Sequence, residues 1–438
     1  MKNNLSIQYV STDIIKEYGN NAKIHSSQQI GQIKKSISSF GMVNPILLDE
    51  NNTIIAGHGR FLALKSLDYN KVPCIHIDHL TEKQINAYRI ADNKLAENAS
   101  WDTELLVVEL KTLSDIEVDF DFDTLGFDDI EIDSLFHHNE DETCANEILP
   151  KIPQTPITQI GDIFHCGPHR VGCGDCRDDT FIRQLMQRSK AAICVTDPPF
   201  NVPIHGNARG NGKSQFDNFA MACGEMTTDE YRQFLLVCLV CLKHFCKNGS
   251  LFYLFIDWRH LLDLLTVTED IFTSMLNLCV WNKSNGAMGT FYRSKHELVG
   301  VFKHGNASHI NNVQLGKYGR NRTNVWDHAG LSSFGKQRDE ELALHATPKP
   351  VPLLKDILLD ASKPNDIVVD GFLGSGTTLI SAEKVRRRCF GVEIDPHYVD
   401  VILQRYINTT GDEPIHVESG LTFAELTSKR ANPSGGAS

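Results

Sequence analysis

The run PNDIVVDGFLGSGTTLISAEKVRRRCFGVEIDP, residues 364–396, constrains the fold more than any other part of this 438-residue chain. An apolar strand ends in Asp370, and a glycine loop follows (Gly371, Gly374, Gly376). A helix starts near Thr377, and a second apolar strand ends in Glu393. That order is the signature of an α/β fold with a parallel sheet, which holds its ligands at the carboxyl ends of its strands. Glu393 lies seventeen residues past the last glycine, close to the spacing at which such sites hold a ribose. The loop lacks the GxGxxG of dinucleotide sites, and no Gly-Lys-Ser/Thr of a phosphate loop follows. A nucleoside without phosphates is the better match.

A second stretch, AAICVTDPPFNV at 191–202, is an apolar strand stopped by an acid, two prolines and an aromatic. Consecutive prolines fix φ and remove two donors, so the loop is stiff and the carbonyls around it are expected to stay free. Asp197 and Phe200 would project from a rigid rim at a strand's carboxyl end, suited to something flat with hydrogen atoms to donate.

The length suggests two or three domains, and 41% apolar with 22% charged residues is an ordinary globular composition. The amino terminus has no apolar signal core and no apolar run is long enough to span a bilayer, so a cytoplasmic protein is expected. Twelve scattered cysteines suit reduced, buried thiols. The net charge of −12 is local: Ser114 to Glu147 hold thirteen acidic residues and no lysine or arginine. From Lys283 to Arg322, seven basic residues face Glu297 alone, interleaved with Tyr292, Tyr318 and many Asn and Gly. Such a segment can follow a phosphate backbone, or be merely a solvated loop.

Along the chain, Ile30, Ile33, Ile37 and Phe40 follow helical spacing after a capping HSS. PILLDENNTIIAG gives two short apolar runs around a turn, and GHGRFLALKSLDY opens a helix at a glycine pair. Gly57, His58, Gly59 and Arg60 at that helix start make an anion site, although a glycine pair is often backbone geometry alone. Residues 99–137 read as a helical acidic extension whose Phe120, Phe122, Leu125, Phe127, Ile130, Ile132 and Leu135 pack rather than dangle. Residues 138–156 have linker composition, and the remainder is α/β from 157 to 412 with a tail at 413–438 whose end, SKRANPSGGAS, is expected to be disordered. Cys173 and Cys176 with Cys166, His165 and His169 could be read as a zinc knuckle, but no matched second pair follows and no metal is expected.

DPPF and DGFLGSGTT together resemble the amino-group DNA methyltransferases, which use S-adenosylmethionine. GDC at 174–176, FYRSKHELVGVFKHG at 291–305 and HATPKP at 345–350 fall in the same order. The order, catalytic motif first, is the permuted β-group arrangement, with target recognition at about 201–225 and 283–345. The resemblance implies a Rossmann-like methyltransferase fold acting on double-stranded DNA, of the kind used in restriction–modification. Asp197 and the Pro198 carbonyl would accept the hydrogens of a target amine, Pro199 would stiffen the rim, and Phe200 would stack on a flipped base. Asp370, Phe372, Gly374, Gly376 and Thr377 would line the methionine and sulfonium end of the cofactor, Glu393 would hold its ribose and Asp175 its adenine edge. Thr347, Lys349 and Pro350 would close over the methionine. Lys283, Arg293, Lys295, Lys317, Arg320 and Arg322 would contact DNA. Adenine N6 is favoured because an aspartate opens the motif; cytosine N4, or an inert methyltransferase fold serving as a DNA-binding adaptor, are the alternatives.

Residues 1–98 resemble the ParB-like N-terminal domain, a smaller α+β unit that binds nucleotides or DNA. Gly57 to Arg60 match its phosphate turn, and Asp92-Asn93 match its acid-Asn pair. A single arginine in the turn, and Lys23 where an arginine is usual, argue against nucleotide hydrolysis. The resemblance leaves both a nucleotide at this domain and a homodimer open.

Overall fold

The computed structural model describes residues 5–116, 121–137, 149–202, 224–283, 286, 291–313, 322–329 and 348–431. Two units divide the chain, 1–138 and 139–438.

The first unit contains β1 (Gln8–Ser11), α1 (Ser27–Phe40), β2 (Ile46–Leu48), β3 (Ile54–Ala56), α2 (His58–Lys65), β4 (Lys71–His76) and α3 (Glu82–Glu97). Its sheet runs β1-β4-β2-β3, with β2 and β3 an antiparallel hairpin and β4 parallel to β2. The hairpin closes because Asp49 Oδ1 accepts from the backbone N–H groups of Asn51 and Thr53, at 2.9 and 2.8 Å. Ser26 caps α1, and that helix buries Ile37 against Ile46, Leu48, Ile54, Phe61 and Leu64. The acidic extension forms α4 (Thr103–Ile116) and α5 (Asp129–His137), joined in one small core by Leu110, Ile132 and Phe136 with Phe122 and Phe127 beside them. Lys35 on α1 reaches Asp121 at 3.0 Å and Asp123 at 2.7 Å, so part of the negative stretch is bonded inside its own unit.

The second unit contains β5 (Ile163–Cys166), β6 (His169–Cys173), α6 (Asp179–Met186), β7 (Ala191–Thr196), α7 (Thr228–His244), β8 (Cys246–Ile256), α8 (Leu261–Glu269), β9 (Ser274–Asn282), β10 (His296–Lys303) and β11 (Val325–Asp327). Then follow α9 (Val351–Ala361), β12 (Ile367–Asp370), α10 (Thr377–Lys384), β13 (Arg388–Glu393), α11 (Pro396–Thr410), β14 (Ile415–His416) and α12 (Phe423–Ala431). Ten strands make one sheet, β11-β9-β10-β8-β7-β12-β13-β6-β5-β14. Its central five, β8-β7-β12-β13-β6, are parallel. Burial on both faces explains the continuous apolar runs: along β7, Ile193 and Val195 join one core and Cys194 the other. The chain leaves β7 toward β8 on one side and β12 toward β13 on the other, so the crevice between β7 and β12 is the topological switch point.

The carboxyl terminus differs from the sequence expectation. Instead of a tail from 413, β14 pairs with β5, and α12 runs through Ser428, Lys429 and Arg430 to Ala431. Phe423 and Leu426 are buried, and Arg430 donates to Asp162 at 2.5 and 3.0 Å. Of the stretch that suggested disorder, Ser428, Lys429 and Ala431 lie exposed on this helix, and residues 432–438 lie outside the described residues. Among the described residues no helix is long and apolar enough to cross a membrane, and the ten described cysteines are free and buried. Phe423→Ala should lower the stability of the second unit by about 3 kcal/mol, because a buried aromatic leaves a cavity between β5 and α12. Chemical denaturation followed by circular dichroism checks this, and a loss below about 1 kcal/mol would return these residues to the status of a tail.

Candidate active site

The crevice between β7 and β12 opens as a cleft lined by Thr196, Asp197, Phe255, Lys349, Asp370, Phe372, Gly374, Ser375 and Thr377. A hydrogen bond joins its two walls: Thr196 Oγ1 donates to Asp370 Oδ1 at 2.8 Å and accepts from Gly371 N at 3.2 Å. Asp370 Oδ1 also accepts from Phe372 N at 3.0 Å, and Oδ2 accepts from Thr378 Oγ1 at 2.6 Å. Burial pushes this carboxyl up to about 6 against those bonds. Asp370 thus lines the cleft as expected, but the chain's own donors occupy both of its oxygens and it shapes the glycine loop.

That loop is held on its other side by Glu393 at the end of β13, whose oxygens accept from Gly374 N at 2.8 Å and Asp395 N at 3.0 Å. Burial raises Glu393 to about 7. Gly374 has φ 54°, and a Cβ there would meet no described protein atom within 4 Å, so its missing side chain leaves room on the cleft side. Gly376 caps α10, and Thr377 accepts from Arg405 at 3.1 Å. Pro350 opens α9. Asp175, just past β6, is gripped by Arg177 at 2.6–3.0 Å; burial opposes ionisation, but Arg177 prevails and holds the carboxyl below its usual range.

On the opposite wall the DPPF rim is stiffer than two prolines alone would make it. Tyr231, wholly buried on α7, donates to the Pro199 carbonyl at 3.0 Å, so that carbonyl is not free as the sequence suggested. The tyrosine ring stands edge-on to His260, whose Nδ1 lies 2.9 Å from Asp263. Pro198 is buried, and Phe200 packs against both cores of the unit. Asn201, at φ 53°, accepts from Gly224 N and Met226 N and donates to the Met226 carbonyl, tying the two sides of segment 203–223 together. Asp197 Oδ1 is buried, and no described residue donates to it.

Lys349 lines the same cleft and is tied to the DPPF wall. Its ammonium bonds Asp197 Oδ2 and stands 3.2 Å from Glu297 Oε2, while Lys283 bonds the other Glu297 oxygen. Burial opposes the charge on Lys349, but the two carboxylates outweigh it and raise its pKa. Of the basic residues expected to meet DNA, Arg322 does not present a free charge. It bonds Asp356 at 2.5 Å and Asp360 at 2.8 Å and lies over Trp326, because three acid or aromatic partners converge there. Lys283 is likewise held by Glu297. Arg293 and Lys295 are exposed beside Phe291 and Tyr292, which are 85% and 81% exposed. Thr347, Lys317 and Arg320 lie outside the described residues.

In the first unit Gly57 (φ 102°) opens α2, and a Cβ at Gly59 would come within 3.1 Å of the His25 ring. His58 Nε2 and Arg60 Nε are buried with no hydrogen-bond partner among the described residues. Burial lowers His58 to about 4, helped by His25 and Arg89, and lowers Arg60 against the pull of Asp92. Lys23 pairs with Glu97 at 2.5 Å. No metal-binding group of three side chains occurs among the described residues. In the cysteine-rich stretch, burial raises the Cys166 and Cys173 thiols, and His169 is held by Glu383 at 2.6 Å and the Cys389 N–H at 2.9 Å.

Sequence reasoning missed Tyr231, Asn201 and the place of Glu297 beside Lys349 and Asp197. Only Glu297 left a trace, as the single acid in a basic segment and at the head of an apolar strand.

A strand-end acid followed by two prolines and an aromatic, facing a glycine loop across a switch point, is the frame of a nucleoside-dependent transferase. Residues 191–404 match the DNA methylase family, residues 2–93 the ParB N-terminal domain, and residues 104–160 the ParB-methyltransferase HTH domain. The chain therefore carries a DNA methylase domain of the N6/N4 family, with a ParB domain at its amino end. Its first unit is similar to a ParB-like nuclease domain-containing protein, YnaK, of Escherichia coli (42% identity over 84 residues, 19% of this chain and 97% of that one). Its second is similar to the type II methyltransferases M.HinfI of Haemophilus influenzae and M1.MboII of Moraxella bovis. Identities are 26% and 25%; each covers 53% of this chain, and 66% and 93% of the relative.

Tyr231→Phe should loosen the rim, since the Pro199 carbonyl loses its donor. Stability should fall by roughly 1–2 kcal/mol and methyl-transfer turnover severalfold, with cofactor affinity retained. Unchanged turnover in radiolabel assays would show that Tyr231 only fills space.

Proposed function

We propose that the second unit transfers a methyl group from S-adenosylmethionine to the exocyclic amine of a flipped base in double-stranded DNA, adenine N6 being the favoured target. The observation that carries this reading is Asp197 Oδ1: a buried acceptor without a described donor, at the mouth of a cleft whose floor is a glycine loop. A base amine is a poor nucleophile because its lone pair is delocalised into the ring. Asp197 and the Pro198 carbonyl, accepting its two hydrogens, let the nitrogen pyramidalise and turn that pair outward. Phe200 offers a stacking face at the same rim. The open side of Gly374, the aromatic wall of Phe372 and the carboxylate of Glu393 fit S-adenosylmethionine, which when bound supplies a methyl group on a positive sulfur. Asp197 and solvent take the proton that the methylated amine sheds.

Cytosine N4 is the second reading, since both amines present the same two hydrogens; the leading aspartate favours adenine. Exposed Arg293, Lys295, Phe291 and Tyr292, at the strand-end side of β10, support DNA contact there. The intact acceptor and glycine loop speak against an inert adaptor. Methyl incorporation from labelled cofactor into duplex DNA tests the activity, and modification-sensitive sequencing of DNA from expressing cells gives base and site together.

Asp197→Ala should cut turnover by on the order of a hundredfold or more while calorimetric cofactor affinity stays nearly unchanged. Gly374→Val should do the reverse and abolish cofactor binding. An Asp197→Ala variant that loses the cofactor, or a Gly374→Val variant that keeps it, would overturn these assignments.

For the first unit we propose a nucleotide or DNA phosphate at Gly57–Arg60, supported by the buried unpartnered nitrogens of His58 and Arg60. In the full chain, Arg60→Ala should weaken binding of a nucleoside triphosphate panel or of duplex DNA, more at low salt than at high, because the missing term is charge-assisted and screened. It should leave single-turnover methyl transfer intact. Absence of any binding in the parent protein would make this unit a protein-interaction module.

A further inference from the structure

The catalytic acceptor is not alone in its wall. Lys349, 7% exposed, bonds Asp197 and stands 3.2 Å from Glu297, itself 8% exposed, whose second oxygen is held by Lys283 from the end of β9. Asp197, Lys349, Glu297 and Lys283 thus form a row of alternating charge. The Lys349 ammonium also lies over the rings of Phe255 at 5.1 Å and Phe200 at 5.6 Å. Asp370 acts on Asp197 from β12 as a further negative group, and Tyr231 faces it from α7.

This arrangement conflicts with a fixed role for the ammonium. A target amine can use the open Oδ1, but an ammonium on Oδ2 draws off the charge that Oδ1 must offer it, and that charge-assisted bond is roughly twice as strong as a neutral one. Pushing the cation off would be costly if it were then left buried and unpaired. Glu297 removes that cost, because its near oxygen already stands 3.2 Å from the same nitrogen. We propose that Lys349 is a two-seat positioning cation, which pairs with Asp197 in the DNA-free enzyme and passes to Glu297 when the flipped base's amine takes Asp197. The proposal rests on Asp197 being the acceptor of the target amine.

Two roles follow. Lys349, with Lys283 behind it, favours the ionised form of Asp197, whose carboxyl burial and Glu297 push upward. Glu297 acts only through Lys349, by giving the ammonium its second seat. Both are positioning residues, and neither touches the reacting atoms.

Steady-state methyl transfer by the full chain on duplex DNA, measured from pH 5.5 to 9, separates these roles. Lys349→Met should move the acid limb of the kcat profile to higher pH by a unit or more, since the uncompensated carboxyl holds its proton longer. Lys349→Arg, which keeps the charge, should leave the limb in place. Glu297→Gln strands the ammonium on Asp197, so KM for DNA should rise about tenfold while the acid limb stays put or moves down and calorimetric cofactor affinity is unchanged. The double variant should be no worse in KM than Lys349→Met alone. A Lys349→Met profile that coincides with the parent's, or a Glu297→Gln enzyme with unchanged KM, overturns the proposal. Should Lys349→Met fail to fold by thermal melting, the Glu297→Gln KM decides alone. Turnover surviving in Asp197→Ala would instead remove the acceptor reading, a result independent of the other variants.

Discussion

The hydrogen bond from Thr196 to Asp370 is the constraint on which the site depends. It joins the last residues of two parallel strands whose chains then diverge, one toward β8 and the other toward β13. Divergence creates the crevice, and the bond fixes its width. Two further donors on Asp370, Phe372 N and Thr378 Oγ1, together with Gly371 N on Thr196 Oγ1, transmit that width to the glycine loop. The DPPF rim and the glycine loop opposite it are therefore set by one buried carboxyl. In a low-dielectric site such a network is worth keeping only because every member is satisfied.

Much of this was legible in the sequence because the signals were local. A strand, a glycine loop and a helix leave their mark within thirty residues. The DPPF rim announces itself by residues that a strand interior rejects. What was not legible is what side chains do across the fold. Lys349 and Glu297 are separated by 52 positions and meet only because β10 and the start of α9 converge on β7. Arg322 looked like a charge for DNA, yet Asp356 and Asp360 on α9 claim it. Residues 428–431 belong to a small, polar stretch that read as disordered, yet they close α12, which Phe423 and Leu426 anchor from the residues before it.

Charge is organised on two scales. The acidic extension, which dominates the formal net charge, is partly neutralised by Lys35 within its own unit. Those pairs are exposed and contribute little individually. Their counterparts beside Asp197 are buried and cannot be left unpaired, so the same residue types serve solubility in one unit and chemistry in the other.

Asn201 has a consequence for how such an enzyme can diverge. With one side chain it fastens residue 201 to residues 224 and 226, closing the chain between them into a ring whose anchor is independent of what the ring contains. Loop-closure entropy grows only with the logarithm of length, roughly 0.6 kcal/mol per doubling. Segments of other lengths and compositions can therefore be exchanged at this position without moving Pro199 or Asp197. The amide acts as a coupling flange: the segment it closes becomes a replaceable part, and the rim beneath it a fixed one.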